Sequence, residues 1–356
     1  MAAHADKDEF MNAPLRYSRA ELLQSHDYAA LHEAAGHRLH GGFLVDGAYV
    51  SPRTLVRWPA IRAWRQALTD RGWPLIDASG DLLKREGYPT FEQHRLLLQA
   101  GLGQTLWNSL TVTGIIEARG RALCDVVAPD LQPLIIDPLA DTAVGHLNAG
   151  LFFAHGADEG GDPGQPGVGA HDAMWFAARD LVFGRDAYPT PEAPASISRE
   201  VLGREMPQIP EGIEQLIRFM MNLMMIEIRA ESFFSLCCAL FRDPQLFSDR
   251  RDEAELAADL VERIRADEQS HVGYLQVIIS ELRSFTWRVG GARIAGAAII
   301  DPVWARMVEW HGITERELAA VRARAAIEQQ VLRAKGEVEG RRLLAKLDAL
   351  DVHAVA

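Results

Sequence analysis

The chain has 356 residues, enough for one large domain or two ordinary ones with ample material for a buried core. Hydrophobic residues at 48% and charged residues at 24% are globular values, and a formal net charge of -12 with no basic run argues against a partner held through a phosphate backbone, so no nucleic acid is expected. Cys124, Cys237 and Cys238 are an odd count, the last two adjacent in an apolar segment, which argues against a disulfide framework or a zinc knuckle and fits a reducing cytoplasm.

Residues 1–20 carry acidic groups where a secretory signal needs a positive start and an apolar run, and they read as a disordered lead-in. Residues 21–90 read as a mixed extension packed on the helical region C-terminal to it. Within it "GGFLVDGAYVSPRT" holds an Asp-Gly between short apolar runs, a hairpin signal, and the next stretch is an amphipathic helix. From Thr90 the pattern is helical: Thr90 and Gln93 make a capping box, and the run to about Val127 carries a stripe through Leu106, Leu110, Thr113 and Glu117. A second helix is expected from Asp141 to about Glu159, before "GADEGGDPGQPGVGA", which is too rich in glycine and proline for regular structure. A shorter helix resumes at His171.

The next helix starts at Pro210, a favoured first-turn residue, and runs to about Phe241; its successor covers roughly Asp252 to Trp287. The most apolar window, "LIRFMMNLMMIEIRAESFFSLCCALF", is interrupted by Glu227, Arg229 and Glu231, so it reads as a core helix and no membrane span is expected. Two last helices are expected to begin at Asp301-Pro302 and at the capping box from Thr314 to Glu317, in a C-terminal region, 291–356, that could form a homodimer contact or a solvated flank. The expected fold class is mainly α, with a bundle of long helices over residues 91–290.

The candidate site lies where these helices put charge on the wrong side. At about 100° per residue, Val261, Ile264, Glu268, His271, Leu275, Ile279 and Leu282 share one stripe, with Arg263, Asp267 and Ser270 away from it. The preceding helix repeats the oddity, placing Glu227 and Glu231 among Met220, Met224, Phe234 and Cys238. An ionised carboxylate in an apolar interior costs several kcal/mol, so such groups are paired, protonated or bound to a metal. The Glu268-x-x-His271 spacing sets a carboxylate oxygen and an imidazole nitrogen one turn apart, both able to reach one ion. A simple Glu-His hydrogen bond would explain that pair alone; two consecutive helices with acids in their apolar stripes favour metal.

On these residues the chain resembles the ferritin-like carboxylate di-iron proteins, the group that includes the ribonucleotide reductase small subunit, bacterial multicomponent monooxygenases and the p-aminobenzoate N-oxygenase. Their plan is a four-helix bundle in which two helices each give one carboxylate and two each give a Glu-x-x-His. The resemblance covers roughly residues 91 to 290. It implies Glu231, or alternatively Glu227, as a lone carboxylate, Glu268 and His271 as the pair, and Glu117 in "GIIEARGRAL" as the other lone carboxylate. The helix at 141–159 departs from the plan because it contains no Glu-x-x-His. His155 is the best histidine there, Glu159 could bridge, and His171 is a further candidate; His146, Asp158 and His171 are otherwise read as surface or capping residues.

An oxygen and nitrogen ligand set without cysteine suits iron, with manganese as the alternative, better than a structural zinc. The expected activity is that of a non-haem di-iron, O2-dependent oxidase or oxygenase acting on a small organic substrate, with N-oxidation of an amine or hydrazine, or a tailoring hydroxylation, implied by the resemblance. "GLGQTL" lacks the full dinucleotide fingerprint, so electrons would come from a separate reductase or from the substrate. A metal-dependent hydrolase would use the same ligands for water activation, and a non-catalytic helical scaffold would bind no stoichiometric metal. Tyr274, one turn after His271, reads as a core tyrosine or a hydrogen-bonding group, and the loop at 156–170 as a gate.

Overall fold

The computed structural model describes residues 14–351. The expected disordered lead-in falls outside these over residues 1–13, and from residue 14 the chain is part of the fold: Trp64 Nε1–H donates to the Leu15 carbonyl at 2.9 Å, and Ser18 with Glu21 forms a capping box that opens α1 (Arg19–Leu22). A small antiparallel sheet comes next, β1 (Ala30–Ala34), β2 (His37–Phe43) and β3 (Tyr49–Val50), in that order. Ala35 and Gly36, both at positive φ, make the tight first turn, and the Asp46-Gly47 turn joins β2 to β3. After α2 (Arg57–Asp70) the regular structure is helical apart from one β-hairpin, with long loops over 126–143 and 184–210.

The single helix expected from Thr90 to about Val127 is two. Thr90 and Gln93 cap α3 (Phe91–Gln99) as expected, but Gly101, at φ 74, ends it: its N–H bonds the Leu98 carbonyl and the Leu102 N–H bonds the Leu97 carbonyl, the paired closure that glycine at this position permits. Helix α4 (Gln104–Gly120) then starts afresh. The helix expected over 141–159 is likewise divided. A 3-10 turn over Val144–Ala149 is capped by Glu281, whose carboxylate accepts from the Ala143 and Val144 N–H groups at 3.0 and 2.9 Å; Gly150, at φ 110, then redirects the chain into α5 (Leu151–Gly160).

Next come α6 (His171–Phe183), α7 (Glu211–Arg242) and α8 (Arg251–Ser284), the last two packed along one another. Helix α8 stops before Trp287, which belongs to a hairpin of β4 (Thr286–Val289) and β5 (Ala292–Ala295). Helix α9 (Gly296–Glu309) begins ahead of the expected Asp301-Pro302 start, because Gly296 sits so close to the Leu282 carbonyl (2.2 Å from a Cβ in its place) that the chain turns straight from hairpin into helix. A π-helical turn, Trp310–Thr314, leads to α10 (Glu315–Asp351), which is broken at Gly336. The fold is mainly α, and among the described residues no helix is long and apolar enough to cross a membrane.

The interior holds two large apolar cores, with a third, small cluster of Leu97, Ile327, Val331, Leu344 and Leu347 where α10 packs on α3. The first gathers Trp64, Phe152, Met220, Met224, Tyr274 and Ile300; the second gathers Leu110, Trp175, Phe234, Phe241, Val261 and Ile264. Both central helices pass through both cores. Between them α7 contributes Glu227 and α8 contributes Asp267, Glu268 and His271, all buried. A polar layer therefore crosses the molecule at the level where five helices meet.

Candidate metal centre

Local geometry brings the layer together. Gly160 lies against the end of α4, where a Cβ would fall 2.7 Å from both the Ala118 carbonyl oxygen and the Arg121 side chain, so α5 can approach closely enough to set Glu159 beside Glu117. His171 is the first residue of α6 and points back into the same space; Glu227 comes from mid-α7, and Glu268 and His271 from successive turns of α8.

These side chains form two groups joined at one residue. His155, Glu159, Glu227 and His271 present ligand atoms within 4.8 Å of one another, and so do Glu117, Glu159, His171 and Glu268. In the first group His155 Nε2 is 3.2 Å from Glu227 Oε1 and 3.5 Å from Glu159 Oε1, and His271 Nδ1 is 3.4 Å from Glu159 Oε1. In the second His171 Nδ1 is 3.1 Å from Glu268 Oε1, 3.6 Å from Glu159 Oε1 and 3.8 Å from Glu117 Oε2. Glu268 also reaches His271 Nδ1, at 2.6 Å, and so spans the two groups. Glu159 Oε1 and His171 Nδ1 are buried without a hydrogen bond, oriented toward the common centre. Orphaned buried groups are costly in a folded protein, and a cation satisfies both.

The outward nitrogen of each histidine is held. His155 Nδ1 meets the Tyr274 hydroxyl at 3.0 Å, His171 Nε2 meets Asp267 Oδ2 at 3.2 Å, and His271 Nε2 meets Asp158 Oδ2 at 3.2 Å. Such partners fix the tautomer and ring orientation of a ligating histidine. The carboxylates doing so are themselves anchored by the N-terminal extension: Asp267 by His40 Nε2 at 3.0 Å and the Tyr49 hydroxyl at 3.1 Å, Asp158 by Arg53 and, at 2.7 Å, by Arg57. The histidine side of the layer is thus closed.

Charge in the layer is shared among coupled groups. Burial, with the charges of Glu159 and Glu268, pushes Glu117 well above the usual carboxylate range, and burial with the Glu268 charge takes Glu227 to about 8. Against the same burial, the proximity of Glu117 and of the three histidines holds Glu159 well below its ordinary value. Glu268 falls to about 2 despite burial because His271 and His171 face it, and His271, disfavoured as a cation by burial and by His155, still rises to about 10 through Glu268, Asp158 and Glu159. Protons alone balance seven side chains here. Two divalent cations would displace them, and the four carboxylates match their charge.

Of the residues expected from sequence, Glu117, His155, Glu159, Glu227, Glu268 and His271 stand in these groups and Glu231 does not. Its side chain is 52% exposed and pairs with Arg265, because four residues advance a helix about 40° beyond a full turn and carry it from the buried stripe of α7 to the rim. His146, Asp158 and His171, read as surface or capping residues, are all buried, as are Asp267 and Ser270, placed by periodicity off the stripe of α8. Periodicity against one partner underestimates burial where helices and the extension cover a helix on several sides. A signal for the two aspartates was present: "ADE" occurs at 157–159 and again at 266–268, each time with Glu in a ligand group and Asp holding a histidine of another helix. His40, Tyr49, Arg53 and Arg57 had no such signal. The supposed gate at 156–170 begins only at 161, since residues 156–160 are the end of α5, buried up to Glu159, and its far end is tied to β2 by Gly169.

The carboxylate side is the open one. A cleft of about 610 Å³ reaches Glu227 and Glu268 between α7 and α8, past Trp58 and the Glu231–Arg265 pair, and a pocket of about 300 Å³ reaches Glu117 beside Phe233 and Phe234. No protein-family model, no curated protein and no solved structure matches this chain. The buried His and Glu groups could hold metal ions, and the class of protein they define is a helical protein with a candidate carboxylate-histidine metal centre.

Proposed function

We propose that the chain is a non-haem di-iron oxidase or oxygenase that uses O2 on a small organic substrate, on a ferritin-like bundle plan. The observation that carries this reading is the pair of four-residue ligand groups joined through Glu159. Its donors are hard oxygens and imidazoles without sulfur, which favours iron, with manganese the alternative, over a structural zinc. Bound iron would supply the reductive activation of O2, a redox step no side chain in this site can perform.

The chain's own groups set the conditions for that chemistry. Tyr274, Asp267 and Asp158 orient the three imidazoles so that their inner nitrogens converge. The apolar cores above and below, with Phe152 on one side and Trp175 and Phe234 on the other, keep bulk water from the layer. The two openings on the carboxylate side give substrate and O2 a path to Glu117, Glu227 and Glu268. Electrons come from a separate reductase or from the substrate, and N-oxidation of an amine or hydrazine, or hydroxylation in a biosynthetic pathway, fits this setting.

The test is metal content by mass spectrometry after anaerobic reconstitution with ferrous ion, for wild type and Glu268→Ala, followed by O2 consumption with candidate amines. About two irons per chain, lost in the variant, with O2 uptake, is the expected result. Activity with zinc under anaerobic conditions would replace the reading by a hydrolase, and folded protein without metal by a scaffold.

A further inference from the structure

The pocket beside Glu117 holds two guanidinium groups, Arg229 and Arg316, that form no ion pair among the described residues. Arg229, on α7, donates from Nη1 to His311 Nδ1 at 3.0 Å. His311, in the π-helical turn, places its other nitrogen 3.1 Å from Asn222 Oδ1, which assigns the proton to Nε2 and the lone pair to Nδ1. Burial and the Arg229 and Arg199 charges hold His311 down at about 3, so it is neutral. It aims the guanidinium without cancelling the charge.

Arg316, in the first turn of α10, donates from Nη2 to Ser232 Oγ at 3.1 Å, and its Nε is buried with no hydrogen bond. Burial and the nearby Arg229 lower it to about 10. Besides Glu117, two acids share the pocket lining with the arginines and neither forms an ion pair with them: Glu315, whose charge acts on Arg229, is paired with Arg322 at 2.8 Å, and Glu86 is exposed at the rim. Among the described residues neither arginine is within ion-pair distance of any carboxylate, whereas the buried Arg53 and Arg57 both bind Asp158. Unpaired guanidinium groups in a confined space are the recurrent device for gripping an anion. The other walls, among them Ile116, Ile226, Phe233 and Phe234, are apolar, and the same lining includes Glu117.

We propose that this pocket is the substrate subsite and that it takes a small organic carboxylate, its anionic end held by Arg229 and Arg316 and its carbon skeleton lying along the apolar wall toward Glu117. What then happens to the bound acid rests on the di-iron reading; its recognition does not. A volume of about 300 Å³ is at the lower end for ligand pockets, which limits the ligand to a small molecule.

The experiment is calorimetric titration under anaerobic conditions of metal-free and iron-loaded full-length protein with octanoate and phenylacetate, their neutral amides, and inorganic phosphate. The acids should bind at least about ten-fold more tightly than the amides to both forms. Arg229→Gln and Arg316→Gln should each abolish that preference, with Arg229→Lys and Arg316→Lys restoring part of it, and melting curves on every variant separate lost recognition from lost fold. Equal affinity for acid and amide overturns the proposal. So does a preference confined to the iron-loaded form and insensitive to both arginine changes, which would put the carboxylate on the metal. Phosphate binding as tightly as the organic acids would also overturn it. Iron content read on the same samples keeps the two readings apart: acid preference without metal sinks only the di-iron reading, and full metal without acid preference sinks only the subsite.

Discussion

The imidazole rings of His155 and His271 lie face to face, their centroids 3.7 Å apart and their planes 12° from parallel. Two imidazolium ions so placed would repel one another. Once a cation displaced their protons, two neutral rings, each with its outer nitrogen held, could direct lone pairs at a common point, and both belong to the group that contains Glu159 and Glu227.

The two groups predict a stoichiometric signature. Glu227→Gln and Glu117→Gln should each lower bound iron from about two per chain to about one, since each removes a ligand from a different group, whereas Glu159→Ala should take it below one. Glu231→Gln, at the rim, should leave it unchanged. Mass spectrometry after anaerobic loading and desalting reads all four. Identical losses at Glu117, Glu227 and Glu231 would refute the division into two positions.

Asp267 meets His171 at Nε2, the nitrogen turned away from the two four-residue groups. Asp267→Asn should weaken metal affinity roughly 10- to 100-fold, the usual effect of losing such a partner, while the helical circular dichroism stays as in wild type. Competition against a chromophoric chelator measures this, and an unaltered affinity would argue that His171 is not a ligand.

Arg57→Met removes one of the two cations that neutralise Asp158 deep inside the fold. Breaking a buried pair from one side costs about 3 kcal/mol or more, and the double variant with Asp158→Asn should regain part of it. Urea denaturation of the metal-free protein is the measurement; a loss under about 1 kcal/mol would mean that Arg53 suffices alone.

Three histidines outside the metal groups make the fold acid-sensitive. Burial, aided at His32 by Arg263 and at His311 by Arg229, depresses their folded-state values to about 4 for His32 and His94 and about 3 for His311. Unfolded histidines gain protons near pH 6.5 while these stay neutral, so stability is full above that pH and falls as the pH drops toward 4. Each contributes up to about 1.4 kcal/mol per pH unit in that window. Urea midpoints at pH 7, 6 and 5 should fall in order, and His94→Leu should flatten the trend; a midpoint independent of pH would show these groups to be protonated in the folded state.

The helices and their acids were legible because each strong signal was local. Thr90 with Gln93, Pro210 before α7 and the Glu268-x-x-His271 spacing depend on a few neighbouring residues, and they mark two helix starts and one buried Glu-His contact. What periodicity could not show was which sides of a helix other elements cover. Asp267 and Asp158 are buried because the extension supplies His40 to one and Arg53 and Arg57 to the other, across more than one hundred positions in sequence. The helix breaks at Gly101 and Gly150 are backbone events within otherwise continuous apolar patterns, so a stripe alone ran through them.

With β2, β3 and the start of α2 walling off the imidazoles, traffic to and from the polar layer is one-sided. An ion passing through either cleft meets carboxylates first, exchanging its water shell for anionic oxygens before any nitrogen can reach it. The way out is the same in reverse, and the Glu231–Arg265 pair stands at one of the two exits. How long such a layer would keep a bound ion would then be governed by the opening and closing of those mouths as much as by the strength of the bonds at the histidines.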